Sequence, residues 1–153
     1  MKRKIVILSI LCVIFCTGCN PETGTMTCTM SSYPTDGITL KSTYTATYKE
    51  NTVTKLKTVE QVIADDKDNL DVYKERIEEL YQGYQNIKYY TNKTNILGDT
   101  LTSTTVINYN KVDTEKLIKV DSNNGNIIKN GKVNIDDLRK MYEQNGCNCK
   151  KRK

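Results

Sequence analysis

Near the start of the chain, apolar and polar positions alternate with a period of two over three stretches in succession. Thr25-Met26-Thr27-Cys28-Thr29-Met30 is the first, and Ser32 to Gly37 has the composition of a turn. Ile38 to Tyr48 continues the rhythm, with Thr43, Thr45 and Thr47 on one parity and Tyr44 and Tyr48 on the other. Lys49-Glu50-Asn51 then turns the chain into a third β-rich stretch, Thr52 to Ile63. Three such stretches with short connections predict an antiparallel meander. The period then changes. Asp65-Asp66-Lys67-Asp68 supplies the acids of a helix start, and Leu70, Tyr73, Ile77, Leu80, Tyr81 and Tyr84 recur at helical spacing opposite Lys74, Glu75, Glu78 and Glu79. Ile87 to Thr94 and Thr100 to Tyr109 predict two more strands around a turn at Asn95 to Asp99. Asp113 to Ile118 predicts a short helix. Asn134 is placed to cap a last helix with Ile135, Leu138, Met141 and Tyr142 inward, stopped by Asn145-Gly146. The expected fold is α+β: a mostly antiparallel five-stranded sheet packed by one long amphipathic helix plus a C-terminal helix.

The first residues carry a different signal. Lys2-Arg3-Lys4 precedes an apolar run from Ile5 to Cys16, the layout of a secretory signal peptide. The run is shorter than the roughly 20 residues that a transmembrane helix needs. It ends in Cys16-Thr17-Gly18-Cys19, which resembles a bacterial lipobox, with Cys16 where that pattern usually has Leu. The resemblance implies cleavage after Gly18 and a diacylglyceryl group on Cys19, with palmitate-type acyl chains. The partner is then membrane lipid, and the location is the extracytoplasmic face of the cell membrane. Two acyl chains anchor stably, at about 0.8 kcal/mol per buried methylene. The expected organisation is a signal peptide over 1–18, a lipidated N-terminus and short tether over 19–24, a single domain over 25–149 and a basic tail over 150–153. Removing 18 residues from 153 leaves 135, the size of one domain.

Charge alters the picture little. The chain has 23 Lys and Arg against 18 Asp and Glu, but seven of the basic residues lie at the two tips. The body is near neutral, so no nucleic-acid partner is expected. There is no His or Trp, and the lone Phe, Phe15, lies in the leader. Those absences remove imidazole acid/base catalysis, most zinc sites and Ser-His triads, so no enzyme, cofactor or metal is expected. Asn126 to Asp137 superficially resembles a calcium loop, but Ile128 occupies a ligand position, and a turn into a capped helix explains the same residues. The chain holds 20 Thr and 15 Asn, and its aromatics past the leader are all Tyr. A Thr/Tyr-rich sheet face with Tyr44, Tyr48, Tyr89 and Tyr109 is a candidate binding face for sugars or glycan strands. The plainer alternative is a solvated strand face with the Tyr rings in the core.

Of six Cys, Cys12 and Cys16 belong to the leader and Cys19 to the anchor. Cys28, Cys147 and Cys149 remain, which allows one bridge and one free thiol. Cys147-Asn148-Cys149 could instead serve as a redox pair with Cys28 as resolving partner, or bind a soft metal. At this point the layout is similar to the YehR-like small bacterial lipoproteins. The carrying residues are Cys19, Thr27-Cys28-Thr29, Val53-Thr54-Lys55-Leu56 and Gly146-Cys147-Asn148-Cys149-Lys150. That family is functionally uncharacterised, and this chain departs from it by adding Cys147. Its Gly-x-x-Cys spacing matches at Cys149, so the resemblance implies a Cys28–Cys149 bridge, with Cys28–Cys147 second. Such a bridge would pin Lys150, Lys151, Arg152 and Lys153 near a residue nine positions after Cys19, making the tail a candidate membrane contact. The expected function is a membrane-anchored, non-catalytic envelope module that binds a cell-wall or envelope partner. A small-ligand or metal-binding lipoprotein is the alternative, and a thiol–disulfide redox protein a further one.

Overall fold

The computed structural model describes residues 22–152. The leader, Cys19 and Lys153 lie outside them. Three long strands open the fold: β1 (Thr23–Thr35), β2 (Ile38–Lys49) and β3 (Thr52–Ala64). Helix α1 (Lys67–Gln82) follows, then β4 (Tyr90–Leu97) and β5 (Thr100–Asn108). Two short helices, α2 (Thr114–Val120) and α3 (Asn124–Ile127), lead to a small hairpin, β6 (Ile128–Lys129) and β7 (Lys132–Val133). Helix α4 (Ile135–Gln144) and strand β8 (Asn148–Arg152) complete the chain. The main sheet has the order β4-β5-β3-β2-β1-β8, and every pair in it is antiparallel.

The fold is α+β as expected, but the sheet has six strands. The sixth is β8, which takes in most of the segment expected to be a basic tail: Thr25, Met26 and Thr27 pair with Arg152, Lys151 and Lys150. An unpaired β1 edge next to a covalent link at Cys28 supplies the partner that the local sequence does not announce. At the other terminus, Thr23 and Gly24, expected in the tether, already belong to β1. Strand β4 starts at Tyr90 rather than Ile87. Tyr84 and Ile87 are buried in the turn after α1, and Tyr89 takes φ +68, which breaks the extended run.

Three of the four described helices have local side-chain caps. Asp66 caps α1 by accepting from the Asp68 amide, and Asp113 caps α2 through Lys116. The Asn134 side chain accepts from the amides of Asp136 and Asp137 at the start of α4. Gly146, at φ +85, ends that helix in the left-handed conformation that glycine allows. The calcium-like segment is α3 plus the β6–β7 hairpin, turned at Asn130-Gly131, and Ile128 is buried in the core.

Register divides the sheet into two unlike faces. On the helix-covered face, Met26, Ala46, Leu56, Ile107 and Tyr90 form one row. Leu40, Val62, Leu101 and Ile96 form another, packed under Leu70, Tyr73 and Ile77 of α1. Between these rows runs a polar seam that contains Thr58, Thr105 and Asn92, then Ser42, Glu60 and Ser103. The seam separates a large hydrophobic cluster from a smaller one. Leu80 lies at the margin of the α1 stripe and stays 66% exposed.

Candidate functional site

On the opposite face of the sheet, no described residue is buried. Its rows read Lys150–Thr27–Thr45–Lys57–Val106–Thr91 and Asn148–Thr29–Thr43–Val59–Thr104–Lys93 across all six strands. A third row is Arg152–Thr25–Thr47–Lys55–Asn108. Alternation accounts for this composition, because Thr suits a solvated pleated surface while its strand neighbours enter the core. With Lys41 and Lys49, seven cationic side chains project from this face. Among the described residues of the six strands there is one carboxylate, Glu60, and it lies on the covered face, where it accepts from the Tyr81 hydroxyl at 3.1 Å. Glu22 and Glu50 flank one end of the sheet from outside the strands. The open face therefore carries cations without acids, while the acids lie on helices and turns together with the remaining cations.

The four tyrosines singled out by sequence do not share an exposed face. Tyr48 and Tyr109 are buried in the large cluster, and Tyr44 is half-buried with its ring stacked on Tyr142 at 4.2 Å. Only Tyr89 is exposed, with the Lys111 ammonium 5.6 Å from its ring. The plainer reading, solvated Thr faces with Tyr in the core, describes the arrangement. Strand parity explains it: Tyr44, Ala46 and Tyr48 point one way, and Thr43, Thr45 and Thr47 the other.

A second tyrosine group, in which Tyr90 joins Tyr81 and Tyr84 of the helical stripe, surrounds the seam. Tyr84 and Tyr90 stack at 4.7 Å, with Tyr81 tilted against both. Asn124 donates to the Tyr84 hydroxyl at 3.2 Å. Asn92 donates to both Ser103 and Thr105 at 2.9 Å. Burial pushes the phenols of Tyr44, Tyr81, Tyr84, Tyr90 and Tyr142 above their ordinary range and that of Tyr109 up to about 12. Beside them, a cleft of about 470 Å³ opens between α1 and β4, lined by Glu78, Tyr81, Gln85 and Tyr90 to Thr94.

Cys28 and Cys149 form a disulfide across β1 and β8. Cys147 is a free, buried thiol, and burial raises its pKa. It thus has the environment of a packing residue rather than of an activated nucleophile. The basic residues of β8 divide by parity. Lys150 and Arg152 lie on the open face, whereas Lys151 turns to the helix side, where it pairs with Asp136 and lies over the Tyr48 ring. Among the described residues, no three His, Cys, Asp or Glu side chains group to hold a metal ion, and no helix is long and apolar enough to cross a membrane.

No protein-family profile and no curated protein matches the sequence. Two solved structures share its fold. One is the NMR structure of a protein from Streptococcus pneumoniae TIGR4, similar at a TM-score of 0.55 and 19% identity over 98% of each chain. The other is the NMR structure of the E. coli YehR protein, with a TM-score of 0.55 and 18% identity over 86% of this chain and 92% of that one. The chain has a YehR-like fold, and at these identities the likeness concerns the fold alone.

Proposed function

We propose that this chain is a bacterial lipoprotein, anchored through lipid on Cys19 at the extracytoplasmic face of the cell membrane, and that it works there as a non-catalytic binding module of the envelope. One relationship carries the reading: a lipobox-like tetrapeptide ends at Cys19, and a disulfide is closed at Cys28, nine residues later. A bridge at that position suits an oxidising compartment, which is where a lipidated chain would reside. The binding surface in this reading is the open Thr/Lys face, with the tyrosines serving as core.

The test is intact mass and non-reducing peptide mapping of the full-length protein extracted from membranes. The expected result is a diacylglyceryl adduct on Cys19, absent from Cys19→Ser, together with a Cys28–Cys149 crosslinked peptide. An unmodified Cys19 in membrane-extracted material would overturn the anchor.

A second reading draws on the cleft between α1 and β4. Its stacked tyrosines and the side chains of Glu78 and Gln85 would suit a small hydroxyl-rich ligand. Saturable quenching of tyrosine fluorescence by such a ligand, lost in Tyr90→Ala, would favour it over the sheet face.

A further inference from the structure

We propose that the open face of the six-stranded sheet is a docking surface for an anionic phospholipid bilayer, and that the domain lies on the membrane with this face down and α1 outward. The proposal deepens the envelope reading above and takes from it only that a membrane is nearby.

Charge complementarity is the first argument. Seven cations project from the face, and no carboxylate of its strands accompanies them. The contrast with α1 is the second. On the opposite side, α1 carries Asp68, Asp71, Glu75, Glu78 and Glu79 against Lys67, Lys74 and Arg76. A negative surface attracts the open face more strongly than the acidic surface of α1, so the field favours one orientation.

The distribution of the cations decides between a surface and a single polymer chain. They range from β8 through β2 and β3 to β4, five strand spacings of about 4.8 Å, or about 24 Å. Along β2, Lys41 and Lys49 are eight residues apart, about 26 Å at 3.3 Å per residue. A linear polyanion following one track would meet one row. An extended anionic surface can meet several rows at once, with Thr hydroxyls between the cations to donate to phosphate oxygens. The disulfide holds β8 at this face, so Lys150 and Arg152 act as fixed charges rather than as a loose tail. Strand β1 begins at the same corner: Thr25 pairs with Arg152, and Cys19 precedes Thr23 by four residues in sequence, a span of at most about 14 Å.

The test uses the full-length protein on vesicles of phosphatidylcholine alone or of phosphatidylcholine with phosphatidylglycerol, probed by lysine acylation and peptide mapping. On the anionic vesicles, Lys41, Lys55, Lys57, Lys93 and Lys150 should label at least about fivefold more slowly, as expected for groups held near an anionic surface. Lys74, Lys116 and Lys140 on the helices should be unchanged, and high salt should abolish the difference. The combined variant K41Q/K55Q/K57Q/K93Q should lose the protection of Lys150, while the matching Lys→Arg variant keeps it. Both substitutions are at exposed strand positions, and circular dichroism identifies any variant that has not folded. Equal labelling on the two vesicle types overturns the proposal. Protection by soluble poly(glycerol phosphate) without protection by anionic vesicles also overturns it and assigns the face to a soluble polyanion. Intact mass of the same samples reports on Cys19 separately, so a footprint without a lipid adduct removes the anchor and leaves the docking.

Discussion

Cys28 and Cys149 lie directly opposite each other in β1 and β8 and are joined by a disulfide, although 121 residues separate them in sequence. The link fastens the last strand to the first and closes nearly the whole domain into one loop. Chain-entropy arithmetic for a loop of that length gives about 5 kcal/mol, an upper-end value that strain or residual structure reduces. Cys149→Ser should lower the unfolding free energy by several kcal/mol in a denaturant titration and release the β8 amides to hydrogen exchange. A variant within about 1 kcal/mol of the parent, with β8 still protected, would show that the ladder alone holds the strand.

The same edge depends on a residue with no side chain. A Cβ built at Gly24 would lie 2.4 Å from the Tyr48 hydroxyl oxygen and 2.8 Å from the Arg152 carbonyl oxygen. Tyr48 is buried there with Lys151 over its ring, and Arg152 belongs to the β8 backbone, so neither can yield without local rearrangement. Gly24→Ala should cost about 1–3 kcal/mol, the range for overpacking a filled site. The loss should centre on β8, visible as faster amide exchange at 150–152. Uniform destabilisation with β8 exchange unchanged would place the strain elsewhere.

What the sequence made legible follows from where the information is local. Strands β1 to β3 alternate because one face is buried, and Asn134 and Gly146 mark the ends of α4 by their own chemistry. Strand β8 reads as Lys-Lys-Arg in isolation, and only the β1 edge makes it a strand. The seam was invisible for a related reason. Ser42, Glu60 and Ser103 are polar, so each reads as outward-facing until register brings them into one row beneath α1. The basic face was hidden by summation: a near-zero total conceals one face that carries cations alone, and parity has to be combined with strand assignment before it appears.

Asn92 tests whether the seam is structural. Its amide donates to Ser103, 1% exposed, and to Thr105, 6% exposed. Asn92→Ala removes the shared donor of two buried hydroxyls. A loss of about 1–3 kcal/mol is expected from that desolvation penalty. Adding Ser103→Ala should return part of the loss, because an apolar group needs no partner. If the double variant were less stable than the single by the full cost of Ser103→Ala alone, the two residues would be energetically uncoupled.

The buried tyrosines give the domain an alkaline limit. An unfolded phenol titrates near pH 10, whereas burial pushes Tyr109 up to about 12 and raises Tyr44, Tyr81, Tyr84, Tyr90 and Tyr142 as well. The folded state keeps the proton that the unfolded state gives up. Stability is therefore fully present below pH 10 and falls as pH rises from there through the folded pKa. For Tyr109 alone the loss approaches about 2–3 kcal/mol by pH 12, and the other five rings add in the same direction. Unfolding free energy measured at successive pH values should decline steadily above pH 10. Phenolate absorbance from the buried rings should rise together with the loss of near-ultraviolet circular dichroism, because those rings ionise when the core opens. Tyr109→Phe should flatten the decline, since a ring that cannot ionise contributes nothing to the slope. A domain in which these six phenols titrated near pH 10 with tertiary structure intact would show that water reaches the seam, and would move the tyrosine group from core to candidate ligand site.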